Sequence, residues 1–138
     1  MLVTTVVGAG PMRMAARPVP HGCEHVPAVG TGMGMPSHSI YVHELIHEFE
    51  AGRLIRIGSC GSLQPEVHIR DVILAMSACF DSSLNQLRFG GMGFAPTADF
   101  ALLRYAHELA EHRELTARVG SILSSDWFYP DDPDGWKK

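Results

Sequence analysis

Arg56 and Ser59 stand three residues apart in Leu-Ile-Arg-Ile-Gly-Ser-Cys-Gly, residues 54–61. The arginine offers a permanent cation with forked donors, and the serine adds a hydroxyl. Gly58 and Gly61 let the backbone come close to a ligand and leave N–H groups free to meet it. Together these groups suit an anion such as phosphate. Leu54, Ile55 and Ile57 form the short apolar run of a buried strand. Ligands of parallel α/β sheets sit off the carboxyl ends of strands. The spacing therefore predicts an anion site at a strand end. The same residues also read as a plain turn beside a snorkelling arginine.

Three other constellations invite chemistry. His43-Glu44-Leu45-Ile46-His47 is a literal HExxH, the zinc-protease pattern in which two histidines bind metal and the glutamate acts as base. The longer metzincin form needs Gly at 50 and His at 53, where the chain has Glu50 and Arg53. Glu66 lies 19 residues past His47, a zincin-like spacing for a third ligand, but in a Pro-containing turn. On a helical wheel both histidines fall away from the apolar stripe, which favours a solvated face over zinc chemistry. Gly8-Ala9-Gly10-Pro11-Met12-Arg13 follows a strand as a dinucleotide-binding loop does. Arg13 occupies the third glycine's place, Pro18 and Pro20 cut short any helix, and no acid stands about 20 residues on to hold a ribose. A phosphate-facing loop with Arg13 as its cation stays open. His21, Cys23 and His25 alternate closely but match no common zinc spacing, so they read as loop residues.

The elements that must position these groups follow from periodicity. Residues 2–7 read as a strand, and 17–36 as irregular, Pro- and Gly-rich chain. A helix is expected from Pro36 to Glu50, with Val42, Leu45, Ile46 and Phe49 on one stripe. Strands are expected over 53–57 and 71–79, and polar irregular chain over 80–89. A second helix is expected over 97–113, striped by Leu102, Leu103, Ala106, Leu109 and Ala110, with His107 and His112 at the surface. A strand over 116–123 follows, then Trp127-Phe128-Tyr129, aromatics that read as core or rim. Alternating strands and helices point to an α/β fold.

With 138 residues the chain suits one domain, and 46% hydrophobic against 19% charged residues is an ordinary globular balance. A net charge of −4 with no basic block argues against nucleic acid or an anionic membrane as partner. No stretch has the apolar length of a membrane span. Three cysteines without a pairing framework fit a reducing cytoplasm.

From Gly32 to Pro130 the chain resembles the bacterial, hexamer-forming purine nucleoside phosphorylases of the nucleoside phosphorylase superfamily. The resemblance rests on Gly-Met-Gly-Met-Pro-Ser at 32–37, Ile40-Tyr41 with Glu44-Leu45-Ile46, and Ile-Arg-Ile-Gly-Ser-Cys-Gly at 55–61. It continues through Arg70-Asp71-Val72, Ala78-Cys79, Asp81-Ser82, Asn85, Arg88-Phe89, Ala98-Asp99-Phe100, Arg118-Val119-Gly120 and Ser125-Asp126 before Phe128-Tyr129. Each segment is short, but the ordered set is specific. It implies a single domain over 1–138, family-like over 32–130 and divergent over 1–31. The implied fold is a partial three-layer αβα architecture with a mixed central sheet.

The activity it implies is phosphorolysis of purine (deoxy)ribonucleosides to free base and sugar 1-phosphate. Inorganic phosphate is the co-substrate, no cofactor is needed, and the assembly is a homo-hexamer. By position, Arg56, Ile57, Gly58 and Ser59 correspond to the phosphate cradle, with Arg13 as a weaker match to a second phosphate arginine. Met33 corresponds to the ribose contact, and Cys60, Gly61 and Phe128 to the wall and lid against the base. No metal is implied, and His43 and His47 receive no role. The family's Glu-Met-Glu ribose site and its Ser-Asp-His segment, which carries the general acid, have no counterpart in these residues. The chain is therefore expected to be incomplete at both ends, with no catalytic residue of its own and impaired turnover. The alternatives are a non-catalytic remnant that binds phosphate or pairs with intact subunits, and an HExxH zinc hydrolase.

Overall fold

The computed structural model describes residues 28–127, 129, 131, 132 and 134, together with the backbone of residues 2–8. In chain order the elements are β1 (Leu2–Gly8), α1 (Gly34–His47), β2 (Arg53–Ser59), β3 (Val72–Phe80), α2 (Leu84–Arg88), α3 (Phe100–His112) and β4 (Ala117–Ser124). Four strands form one sheet in the order β2-β1-β3-β4. β1, β3 and β4 run parallel, and β2 runs antiparallel to β1. The sheet is thus mixed and the fold α/β, as the alternating pattern leads one to expect.

The antiparallel direction of β2 corrects one expectation. Ser59 pairs with Leu2, and Leu2 with Val72, so the end of β2 lies level with the start of β3. The Gly-Ser-Cys-Gly turn therefore leaves the sheet at the amino edge of the parallel strands, not at their carboxyl edge.

α3 follows from its sequence. Asp99 caps it, its side chain accepting from the Leu102 N–H at 2.9 Å. Capping moves the start to Phe100, later than the expected 97, and Thr97 instead makes an antiparallel bridge to Ser77. The helix closes with Glu114 N–H donating to Glu111 O and Leu115 N–H to Ala110 O, at 3.0 and 2.9 Å. That double bond pattern is the Schellman stop, and it holds Glu114 at φ 54° in the left-handed region glycine prefers. α3 packs across β1, β3 and β4.

Residues 80–89 are not wholly irregular. Ser82 Oγ accepts from the Leu84 N–H at 3.3 Å in the turn that leads into the five-residue α2. A local serine turn of this kind leaves no hydrophobic period to read.

The core sits on the central strand pair. Ile73, Leu74, Ala75 and Ala110 are the buried apolar residues among those described, with Leu74 at 3% and Ala75 at 2% exposure. Cys60, Val67 and Ile122 pack against Ile73 and Ala75. A register shift between Ala75 and Ser77 reverses the alternation, so Ser77 and Ser121 share a face and their hydroxyls meet at 2.7 Å. β2 is an edge strand, and Ile55 and Ile57 on its outer face are 57% and 65% exposed. α1 buries no residue completely, and Phe49 of its expected stripe lies beyond the helix end, in solvent.

Candidate functional site

Strand alternation puts Arg56, Gly58 and Cys60 toward one side of β2 and Ile55, Ile57 and Ser59 toward the other. The Arg56 side chain folds back over Gly58. A Cβ on Gly58 would stand 3.3 Å from one guanidinium nitrogen and 3.4 Å from the other. Glycine here lets the cation lie along the strand toward the turn. Among the described residues the Arg56 guanidinium has no carboxylate partner.

Cys60 and His38 share this neighbourhood. Burial pushes the Cys60 thiol pKa up, and the Arg56 charge opposes that shift. Burial also lowers the His38 pKa, and Arg56 lowers it further. The His38 Nδ1 is buried without a hydrogen-bond partner among the described residues. His38 on the second turn of α1 and Cys60 after β2 both feel the Arg56 charge, and element lengths explain why. Fourteen helical residues span about 21 Å and seven strand residues about 23 Å, so a reversal between them brings the helix start back to the strand end. The reversal is made at Glu50 (φ 51°), with Ala51 N–H donating to Leu45 O at 2.9 Å.

The start of α1 adds donors. Met33 is the N-cap in extended conformation, makes no side-chain capping bond, and no acid occupies the first turn. The first N–H groups of such a helix lack internal partners and favour an anion. Gly32 and Gly34, at φ 67° and 81°, set the approach to the helix in a conformation costly for other residues. Met33 itself is 91% exposed.

The structure thus turns Arg56, Gly58 and Cys60 toward one side of β2 and sets Met33 at the start of α1, where His38, which sequence patterning did not single out, feels the Arg56 charge. It turns the side chains of Ile57 and Ser59 to the opposite side, and Gly61 follows in exposed chain. Arg13 and Phe128 lie outside the described residues, as do His21, Cys23, His25 and the glycine loop beyond Gly8.

Two polar clamps hold the loops around the sheet. At the amino edge Arg118 Nε donates to Asp71 Oδ2 at 3.0 Å and its Nη2 to Glu66 O at 2.7 Å. The His68 N–H donates to the same Asp71 oxygen at 3.0 Å. This ties the 62–70 segment, which leaves the Gly-Ser-Cys-Gly turn, across to β4. The His68 N–H and the Arg118 guanidinium hold the Asp71 pKa below the usual carboxylate range. A cleft of about 380 Å³ lies between this segment and β4, and Arg56 and Ser59 do not line it.

At the carboxyl edge Ser125 Oγ donates to Asp81 Oδ2 at 2.5 Å, and the Asp126 N–H to Asp81 Oδ1 at 2.9 Å. That clamp fixes the segment leading toward residue 128. Ser124 pairs with Phe80, eight residues along β3 from the rung of Ser59, or roughly 26 Å. Cys60 and Gly61 therefore lie at one end of the sheet and the Ser125–Trp127 chain at the other. Both clamps join segments carried by the family resemblance, yet neither was legible as a pair. Each partner is an ordinary polar residue until the fold brings them across 44 to 47 positions.

His43 and His47 are exposed on α1 with ring centroids 4.2 Å apart. Among the described residues no group of three or more His, Cys, Asp or Glu side chains could hold a metal ion, so Glu66 does not join them.

Comparison with known proteins agrees with the segment order. A sequence profile described as "Phosphorylase superfamily" matches residues 21–135. The chain is 56% identical over 109 residues to a "Purine nucleoside phosphorylase DeoD-type" of Alkaliphilus metalliredigens, covering 79% of this chain and 47% of the relative. It is 53% identical over 114 residues to the protein of that name from Thermoanaerobacter sp., covering 83% and 49%. To that of Geobacillus kaustophilus it is 52% identical over 111 residues, covering 80% and 47%. The chain thus spans about half the length of the curated relatives it matches. Since the profile covers all but the first 20 and last 3 of its 138 residues, the chain belongs to the phosphorylase superfamily.

Proposed function

We propose that this chain serves phosphorolysis of purine ribo- and deoxyribonucleosides by holding inorganic phosphate, with no other cofactor. The observation that carries the reading is Arg56, a cation without a carboxylate partner among the described residues, folded over Gly58. In the reaction a phosphate oxygen bonds to C1′ as the C1′–N9 bond breaks. The bonding pair leaves with the purine, which takes a proton at N7. Charge builds toward an oxocarbenium ion at C1′, and a fixed, correctly placed phosphate both attacks and stabilises it. Arg56 and the first-turn N–H groups of α1 would hold that phosphate. Met33 would meet the ribose, and Cys60 and Gly61 the base.

These 138 residues carry no counterpart of the family's Ser-Asp-His acid. Losing a general acid typically costs about 10²–10⁴-fold in rate. The purified polypeptide is therefore expected to bind phosphate and to turn over inosine negligibly. Calorimetric titration with phosphate tests the first half: Arg56→Ala should weaken binding at least about tenfold, from loss of a charge-assisted contact. Equal binding by wild type and Arg56→Ala would overturn the site. Inosine turnover at an ordinary enzymatic rate would overturn the second half.

A cytoplasmic location accords with the sparse cysteines, and a homo-hexamer with the resemblance. The exposed Ile55 and Ile57 on an edge strand favour one further reading, pairing with intact phosphorylase subunits. Co-purification with such a subunit would support it, and a monomeric, well-folded chain in its presence would exclude it.

A further inference from the structure

We propose that His43 and His47 form a surface site for one divalent late transition-metal ion, held by the two imidazoles and completed by water. The site is separate from Arg56 and does not rest on the phosphorolysis reading. Four residues along a helix is about 6 Å of rise and just over a full turn, so the two side chains stand one above the other on the same face. In α1 their rings already sit together, with centroids 4.2 Å apart and planes tilted by 41°. Metal–imidazole nitrogen bonds are about 2.0–2.1 Å. A ring centroid then lies roughly 3.2 Å from the ion, and two rings at right angles on one ion have centroids about 4.5 Å apart. The observed separation lies within reach of such a pair. The two rings are thus close enough to reach one ion, and the order of affinity among copper(II), nickel(II) and zinc(II) follows the metal series.

Other features agree. Both histidines are exposed, so an ion reaches them without opening the fold. Imidazole is a preferred ligand for this group of metals, and affinity along the series peaks at copper. Neither ring is held in a salt bridge among the described residues, where His107 is the histidine paired with a carboxylate, Glu111, at 3.7 Å. No third protein ligand stands nearby among the described residues, so the site is a binding site with water in its remaining positions, not a closed structural centre. Glu44 belongs to the HExxH string but is not a ligand in this arrangement.

The test is calorimetric titration of the tag-free chain with nickel(II), copper(II) and zinc(II) in turn, in a non-chelating buffer. One ion per chain is expected, bound most tightly for copper. His43→Ala and His47→Ala should each weaken binding at least about tenfold, and the double variant should do no worse than either single one, because chelation needs both rings. Glu44→Ala should stay within about twofold of wild type. All three positions are exposed, so circular dichroism should show the fold retained. Unchanged affinity in the double variant would place the ion elsewhere and overturn the proposal. A loss in Glu44→Ala as large as in His47→Ala would also overturn it, in favour of a zincin-like centre.

Discussion

Arg56 shows how one side chain's conformation depends on its neighbour's lack of one. The guanidinium occupies the space over Gly58 that a methyl group would enter at 3.3 Å. Since that contact is with the tip of a flexible side chain, Gly58→Ala should displace the cation rather than unfold the strand. Phosphate affinity should fall a few-fold, less than in Arg56→Ala, and titration of both variants checks the order. His38 gives a pH signature. Its folded-state pKa is lowered, first by burial and then by Arg56, so the folded chain prefers it neutral. Above about pH 6.5 the unfolded residue is neutral too and stability is unaffected. Below that the unfolded chain takes the proton first, and stability falls until the pH passes the lower folded value. His38→Asn should flatten the melting temperature as pH falls from about 6.5, and an unchanged slope would refute the assignment.

At the scale of elements, the ends of α3 offer two opposite substitutions. Asp99 satisfies one of the orphan N–H groups of the first turn, so Asp99→Ala should cost about 1 kcal/mol. Glu114 closes the helix in a left-handed conformation that costs a side-chain-bearing residue about 1 kcal/mol or more, so Glu114→Gly should stabilise by a similar amount. Denaturant titration of the two variants would show midpoints moving in opposite directions with the slope unchanged. α1 differs from α3 in having no capping side chain and no fully buried residue. An element so lightly tied is held by its connections, here the Glu50 reversal into β2, and its uncapped start is what makes it available to an anion.

For the molecule as a whole, stability in acid depends on the two clamps that close the sheet's opposite edges. Asp71 is kept below its ordinary pKa by the His68 N–H and Arg118, and Asp81 by the Ser125 hydroxyl and the Asp126 N–H. A carboxylate with a lowered folded-state pKa adds stability that is complete above its unfolded value, about 4, and is lost as pH falls through the folded one. Acid unfolding should therefore steepen below about pH 4, and Asp71→Asn should lower the melting temperature at neutral pH while reducing that acid dependence. Retention of the full acid dependence in Asp71→Asn and Asp81→Asn together would show that other groups control it.

The alternation of strand and helix patterns, the anion chemistry of Leu-Ile-Arg-Ile-Gly-Ser-Cys-Gly and the ordered family segments were all legible in the linear chain, because each depends on residue type and short spacing. The strands over 53–57, 71–79 and 116–123 were legible for the same reason: apolar period is a local property. Three things required the tertiary structure. The direction of β2 depends on which strand it pairs with, and pairing with β1 sent its turn to the amino edge of the sheet. The division of Arg56 and Ser59 between two sides depends on β2 remaining extended through Ser59, two residues further than the apolar run suggested. The meeting of Arg118 with Asp71, and of Ser125 with Asp81, depends on contacts across more than 40 residues, which no window of sequence contains. Local chemistry chose which groups this chain offers an anion, and long-range pairing decided which of them share a side of the sheet.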